Sequence, residues 1–129
     1  MRAALADAGL DGDAVAYVTA HATATPVGDI AEAAASARVT PDAAVSSFKG
    51  AVGHTIAAAG AIEAAGCIAA LEGGFTPGTA GLLEVDPVIR INVLKKTVSR
   101  APKIVVSNSF GFGGQNAALV LGHAEGTHG

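Results

Sequence analysis

Tryptophan is absent from the 129 residues, aromatics make up 4% of them, and there is one cysteine. A single thiol cannot close an internal disulfide, so nothing points to an oxidising compartment. Cations are scarce as well. Eight Lys and Arg face eleven Asp and Glu, a net charge of −3, which excludes a basic nucleic-acid binder. Charge of either sign is thin at 15%, against about a quarter in an ordinary soluble domain. The start, Met1 to Leu5, runs straight into helix formers and lacks the apolar core of a signal peptide. The most apolar stretch, Thr55 to Leu71, is slightly short for a bilayer span, carries Glu63 at its centre and contains Gly60 and Gly66. It reads as a buried helix of a cytoplasmic protein, with no membrane role.

What remains is small and apolar. Half the residues are in the apolar class, thirty of them alanine, and seventeen more are glycine. That composition excludes a disordered chain, and the length allows one domain. With so little charge available, part of the surface is expected to be covered by another surface.

The pattern along the chain alternates helices and strands. Arg2–Ala8 is helical and stops at Gly9. Val15–Ala20, rich in β-branched residues, reads as a buried strand. Pro26 precedes an alanine-rich helix over Asp29–Arg38, and Ala44–Phe48 makes a second strand. A long buried helix is expected over Gly53–Glu72, ended by Gly73-Gly74. Pro77, Gly78, Gly81 and Pro87 mark an extended connection to two closing strands, Ile104–Ser107 and Ala117–Leu121, joined through Phe110–Gly114. The expected fold is α/β, a mostly parallel sheet covered by helices, with an antiparallel hairpin at its end. No strand precedes the first helix, which reads as a chain that begins inside an element. The end, Glu125 to Gly129, reads as a frayed tail.

Three polar clusters fall at strand ends, where open α/β sheets place their sites. The first is His21-Ala22-Thr23-Ala24-Thr25-Pro26-Val27-Gly28-Asp29. A lone strand-end histidine is often simply bonded to backbone, so His21 alone decides nothing. The second is Lys49-Gly50-Ala51-Val52-Gly53-His54, at the mouth of the apolar helix. Helix N-termini favour acids, so a lysine and a histidine there are poor structural choices; their proton affinities can be tuned by low-dielectric surroundings. Glu63, in the apolar helix, must be paired or hydrogen-bonded, as a structural ion pair or in direct chemistry. Asp29 and Glu32 suit the N-terminal dipole of their helix, with any further role open.

The glycine-rich Ser107–Gly114 lacks the third glycine of a dinucleotide fingerprint and leads into a strand; it reads as an apolar flap beside a pocket. Cys67, deep in an alanine-rich helix, reads as core packing and leaves the chain without a credible nucleophile. His123 and His128 lie in the tail, and no spacing of the four histidines makes a metal site. Two neutral imidazoles converging on one point could donate hydrogen bonds to a developing oxyanion, as a thioester enolate requires.

In this order the clusters resemble the C-terminal part of β-ketoacyl-[acyl carrier protein] synthases of the KAS I/II type, in the thiolase superfamily. That pattern is His-Gly-Thr-x-Thr-x-x-Gly-Asp, Lys-x-x-x-Gly-His and Asn-Ser-Phe-Gly-Phe-Gly-Gly. Here it stands as His21 to Asp29, Lys49 to His54 and Asn108 to Gly114, and the resemblance runs from Arg2 to Leu121. It implies the C-terminal half of a thiolase-like fold over residues 1–122, lacking its first strand, with 123–129 a tail and the Ala/Gly-rich helix buried in the middle layer. It implies decarboxylative Claisen condensation of malonyl-carrier protein with an acyl thioester, in fatty-acid or polyketide chain elongation, without metal or cofactor. His21 and His54 match the two catalytic histidines, Lys49 the lysine that orders them, and Glu63 and Asp29 a supporting network. Asn108, Phe110, Gly111, Phe112 and Gly113 match the gating and oxyanion loop.

Subfamily features agree. The final loop lacks the second cysteine of thiolases, His54 is not the asparagine of KAS III enzymes, and both histidines are kept, unlike in chain-length factors. Ala22 stands where glycine is usual and Ala24 where serine is common, and the segment from Asp29 to Lys49 is a few residues shorter than the pattern. The resemblance places the nucleophilic cysteine on an N-terminal half outside this chain, so the expected partners are that half, acyl carrier protein with its malonyl and acyl thioesters, and a second copy of the complete enzyme. The other reading is a non-catalytic thiolase-like partner subunit or truncated remnant.

Overall fold

A computed structural model describes residues 1–124. The elements run α1 (Arg2–Asp7), β1 (Tyr17–Thr19), α2 (Pro26–Val39), β2 (Ala44–Ser46), α3 (Lys49–Val52), α4 (Ala59–Gly73), β3 (Asn92–Val93), β4 (Ile104–Phe110) and β5 (Asn116–Gly122). The five strands form one sheet in the order β3-β2-β1-β4-β5. The first four are parallel, with Tyr17 opposite both Ala44 and Val105, and β5 returns antiparallel, Ile104 opposite Gly122. The mixed, mostly parallel sheet with its closing hairpin is the architecture expected from the pattern of apolar runs.

Strand alternation divides the core in two. Tyr17 and Val105 point to one face, where Cys67 and Leu71 of α4 cover them. Val18, Val45 and Val106 point to the other, under Leu5 of α1, with Val39 of α2 packed alongside. The two valines Val105 and Val106, adjacent in sequence, thus serve opposite cores. On the α4 face Tyr17 is fully buried, its hydroxyl 2.8 Å from Ser46 Oγ, and burial pushes its phenol up to about 12.

Several boundaries differ from expectation, each for a local reason. The helix expected from Gly53 begins at Ala59. Gly53 takes a left-handed φ of +71° and Ile56 one of +52°, so the chain makes a turn before the helix starts and leaves His54 outside it. Lys49–Val52 is a short helix of its own. The second helix starts three residues earlier than expected, because Pro26 at its first turn has no N–H to lose. The two-residue β3 pairs beside β2 and was not legible, since Asn92-Val93 shows no alternation. Asn108, Ser109 and Phe110 extend β4 instead of forming a loop. Asn108 pairs with Ala118, which holds its backbone in the ladder. The helix expected to be wholly buried is buried on one side: Ala59, Glu63, Cys67, Ala70 and Leu71 face the sheet, while Ile62 and Ile68 are exposed. Ile56–Gly73 is long and apolar enough to cross a membrane by length and composition, and that inner stripe carries its one buried carboxylate. His123, assigned to the tail, is tied down by a 3.1 Å bond from Nε2 to the Leu71 carbonyl; Glu125 to Gly129, with His128, lie outside the described residues.

The segment after α4 crosses over α3 closely. A Cβ on Gly50 would sit 2.1 Å from the Ala80 carbonyl oxygen, so only glycine admits this approach. Gly50→Ala should force α3 and the Ala80 backbone apart at a cost of about 1–3 kcal/mol. Thermal unfolding followed by circular dichroism should show the Tm lowered by roughly 3 °C or more, and an unchanged Tm would mean the crossing is loose.

Candidate active site

The centre of the site is a buried ion pair. Lys49 at the start of α3 lowers its ammonium onto Glu63 Oε1 of α4, the two side chains 7% and 2% exposed. Glu63 reaches it because Glu63, Cys67, Ala70 and Leu71 recur at i, i+4, i+7 and i+8 and form the stripe that docks on the sheet. The second oxygen, Oε2, is buried with no partner among the described residues. Cys67, one turn further on, is fully buried; burial first and the Glu63 charge second push its thiol up to about 12. No reactive thiolate forms there.

The two histidines meet although 33 positions separate them. His21 leaves the end of β1 and His54 leaves the turn after α3, and their rings pack edge-on, centroids 5.5 Å apart and planes at 89°. Ile56 N–H donates to His54 Nδ1 at 3.3 Å, so a neutral His54 carries its proton on Nε2. His54 is exposed. His21 is half-buried and also touches Phe110, ring centroids 5.9 Å apart. Its Nδ1 is buried without a partner among the described residues. Burial chiefly, and the Lys49 charge next, hold the His21 imidazole below its ordinary 6.5; Glu32 and Glu63 pull the other way, and His54 adds to the lowering. His21 is therefore neutral at physiological pH.

Glu32, read from the sequence only as a dipole partner, proves to be part of the site. Its buried carboxylate accepts the His21 N–H and the Ala22 N–H, each at 2.9 Å, and the Asn108 Nδ2–H at 3.0 Å. Nothing in the local pattern marks it, because its donors come from the end of β1 and the middle of β4. Asp29, expected in the network, makes no hydrogen bond to Lys49, Glu63 or either histidine; its Oδ1 is buried without a partner among the described residues, and it lines the cavity that also reaches Lys49 and His54. Of the expected loop, Asn108 and Phe110 join the cluster. Phe112 points fully into solvent, in a turn where Gly113 has φ +77° and Gly111 N–H is bonded to the Gln115 carbonyl at 2.8 Å.

A cavity of about 600 Å³ opens at the C-terminal ends of β1 and β2. Thr23, Thr25, Ser47, Lys49 and His54 line it together with Leu82, Ile89 and Ile91. It lies on the α2 side of the strand ends, so it reaches His54 and Lys49 but not His21. His54 is thus shared between the cavity and the imidazole pair, and the His21 ring packs against Phe110.

Two outcomes follow from these electrostatics. In NMR titrations His21 should titrate below 6.5, and Lys49→Met should raise its midpoint, since one lowering charge is gone while burial remains. Because the folded-state affinity is depressed, the stability His21 contributes is full above pH 6.5 and is lost as pH falls from there through the folded-state value. Glu63→Gln strands a buried ammonium and should cost about 3–5 kcal/mol in urea unfolding at pH 7, whereas the double change Lys49→Met with Glu63→Gln should recover most of it. Equal losses in the single and double variants would show that the pair is not the source.

Comparison with known proteins agrees with this geometry. Residues 1–83 match the family model described as beta-ketoacyl synthase, C-terminal domain. The chain is 41% identical over 129 residues to the mitochondrial 3-oxoacyl-[acyl-carrier-protein] synthase of Arabidopsis thaliana, covering 94% of this chain and 28% of that one. The crystal structure of a beta-ketoacyl synthase from Burkholderia phymatum STM815 superposes with a TM-score of 0.90 at 39% identity, over 96% of this chain and 31% of that one. A type II polyketide ketosynthase complexed with its acyl-carrier protein superposes with a TM-score of 0.89 at 27% identity, over 96% and 32%. The chain thus spans less than a third of the length of these relatives. Its strand order, its paired histidines and this likeness along nearly its whole length lead to one conclusion: the chain belongs to the beta-ketoacyl synthase C-terminal domain family.

Proposed function

We propose that this chain supplies the decarboxylation half of a β-ketoacyl-[acyl carrier protein] synthase site, residues 1–122 acting as one unit. The observation that carries the reading is the edge-on His21–His54 pair set over the buried Lys49–Glu63 ion pair. When a malonyl thioester loses carbon dioxide, the electrons of the breaking C–C bond pass into the thioester and leave negative charge on its carbonyl oxygen. His54, whose Nδ1 already accepts the Ile56 N–H, has only Nε2–H to offer and donates it to that oxygen. His21, kept neutral by burial and by Lys49, provides the second imidazole donor. Two imidazole N–H donors aimed at one oxygen stabilise an enolate, which leaves its carbon free to attack an acyl thioester.

The acyl group must be held by a thiolate, and Cys67 is too deeply buried to be one. The nucleophilic cysteine therefore belongs to the N-terminal half of the synthase, seated over the open side of the imidazole pair. The exposed Ile62 and Ile68 of α4 supply the apolar surface for that half, and the complete enzyme pairs as a dimer. The cavity beside His54 is of a size to take the arm of a carrier-bound thioester, its threonine and serine hydroxyls meeting amide groups along it. Acyl carrier protein is thus the substrate carrier, in fatty-acid or polyketide elongation.

Release of carbon dioxide from malonyl-carrier protein, measured with this chain assembled with the cysteine-bearing half, tests the reading. His54→Ala should lower the rate by about 100- to 1,000-fold. A rate that does not depend on His54 would leave the chain as a non-catalytic partner.

A further inference from the structure

Among the described residues, three that carry a side chain have a left-handed φ, and all three flank the histidines: Ala22 at +30°, Ala24 at +59° and Ile56 at +52°. Such backbone is strained and persists only where its surroundings over-determine it. For the His21 turn the restraint is visible. Glu32 is 6% exposed, and both of its oxygens are engaged: Oε1 by the His21 N–H and the Asn108 amide, Oε2 by the Ala22 N–H. Among the described residues no cation pairs with it, and the ion pair there is Lys49–Glu63. A buried carboxylate without a counter-charge is held by its donors alone, so these three bonds are what the group is there to make.

The donors belong to both walls around the imidazole. His21 and Ala22 form the turn that carries the ring, and Asn108 stands two residues before Phe110, whose ring lies against His21. One carboxylate on α2 therefore joins the strained turn to the strand behind it. We propose that Glu32 is a positioning residue for His21, fixing its turn and the Phe110 wall so that the ring meets His54 edge-on. The inference rests on the reading of that pair as oxyanion donors. Glu32 acts through backbone amides and Asn108, not on the reacting atoms.

The test is Glu32→Gln. A glutamine keeps one acceptor oxygen but turns an NH2 group toward an N–H donor, so at least one of the three bonds is lost at nearly constant volume. In carbon dioxide release from malonyl-carrier protein by the assembled synthase, well below the variant's Tm, kcat should fall between about 10- and 100-fold with KM changed by less than about twofold. In NMR spectra of this chain alone, the His21 ring resonances should move while those of His123, bonded to Leu71 at the far end of α4, stay in place. A role confined to holding α2 on the sheet predicts a lower Tm with unchanged kcat and unchanged His21 resonances, and that result would overturn the proposal. His54→Ala run in parallel separates the two levels. If His54→Ala abolishes release and Glu32→Gln leaves kcat intact, the positioning role alone is wrong; if neither matters, the oxyanion reading falls and this one with it.

Discussion

The Lys49–Glu63 ion pair is the constraint on which the rest of this molecule depends. Each ion costs several kcal/mol to take out of water, and the pair repays that only with close geometry. The geometry needs α3 and α4 to be separate helices, so that an ammonium at the start of one meets a carboxylate in the second turn of the other. The break between them is therefore not slack in the chain. It is the turn from which His54 projects, and it is made by the left-handed residues Gly53 and Ile56. A single continuous helix through Gly53 would have carried His54 away from the strand ends and left Lys49 without its partner.

The same pair sets the chemistry of the ring above it. Burial chiefly lowers the proton affinity of His21; the Lys49 charge adds to that, and Glu32 and Glu63 limit how far it goes. A lysine without a counter-ion would be difficult to bury, and a carboxylate without the lysine would favour an imidazolium. Paired, they add little net charge to a ring that burial already keeps neutral, the form in which it can donate a hydrogen bond to an anion without giving up its proton. The strain in the two histidine turns fits that demand. In the turn after β1, Ala22 occupies a position where synthases of this type usually have glycine, and the extra Cβ at φ +30° is tolerated because Glu32 holds the neighbouring amides.

Much of this was legible in the sequence, and what was not has a common cause. The strands through Val18, Val45 and Val105 show as short β-branched runs, because buried parallel strands need apolar residues on both faces. His21, Lys49, His54 and Glu63 stand out because each is polar where the local pattern calls for an apolar or acidic residue. The start of α4 could not be seen, since Gly53 to Ala58 has helical composition and is broken only by φ angles. Glu32 could not be assigned its role either. A glutamate in the first half of a helix is ordinary in sequence, and what distinguishes it is a set of donors 10, 11 and 76 positions away. Asn108 reads as loop because glycines follow it, yet its backbone belongs to a ladder fixed by β5. The missed features all depend on pairings between distant segments.

The scarcity of charge then has a structural location. Ile62 and Ile68 on the outer side of α4 and Phe112 beyond β4 are exposed, and so is His54. A surface seated over His54 would remove it from water. On the proposed reading this links assembly to reactivity: donors aimed at an oxyanion are worth far more in a water-excluded site than in an open one, because the effective dielectric around them falls. An isolated half would hold its imidazoles in nearly the right arrangement and still stabilise an enolate weakly. Covering His54 would then serve catalysis as well as association, since it is what dries the site.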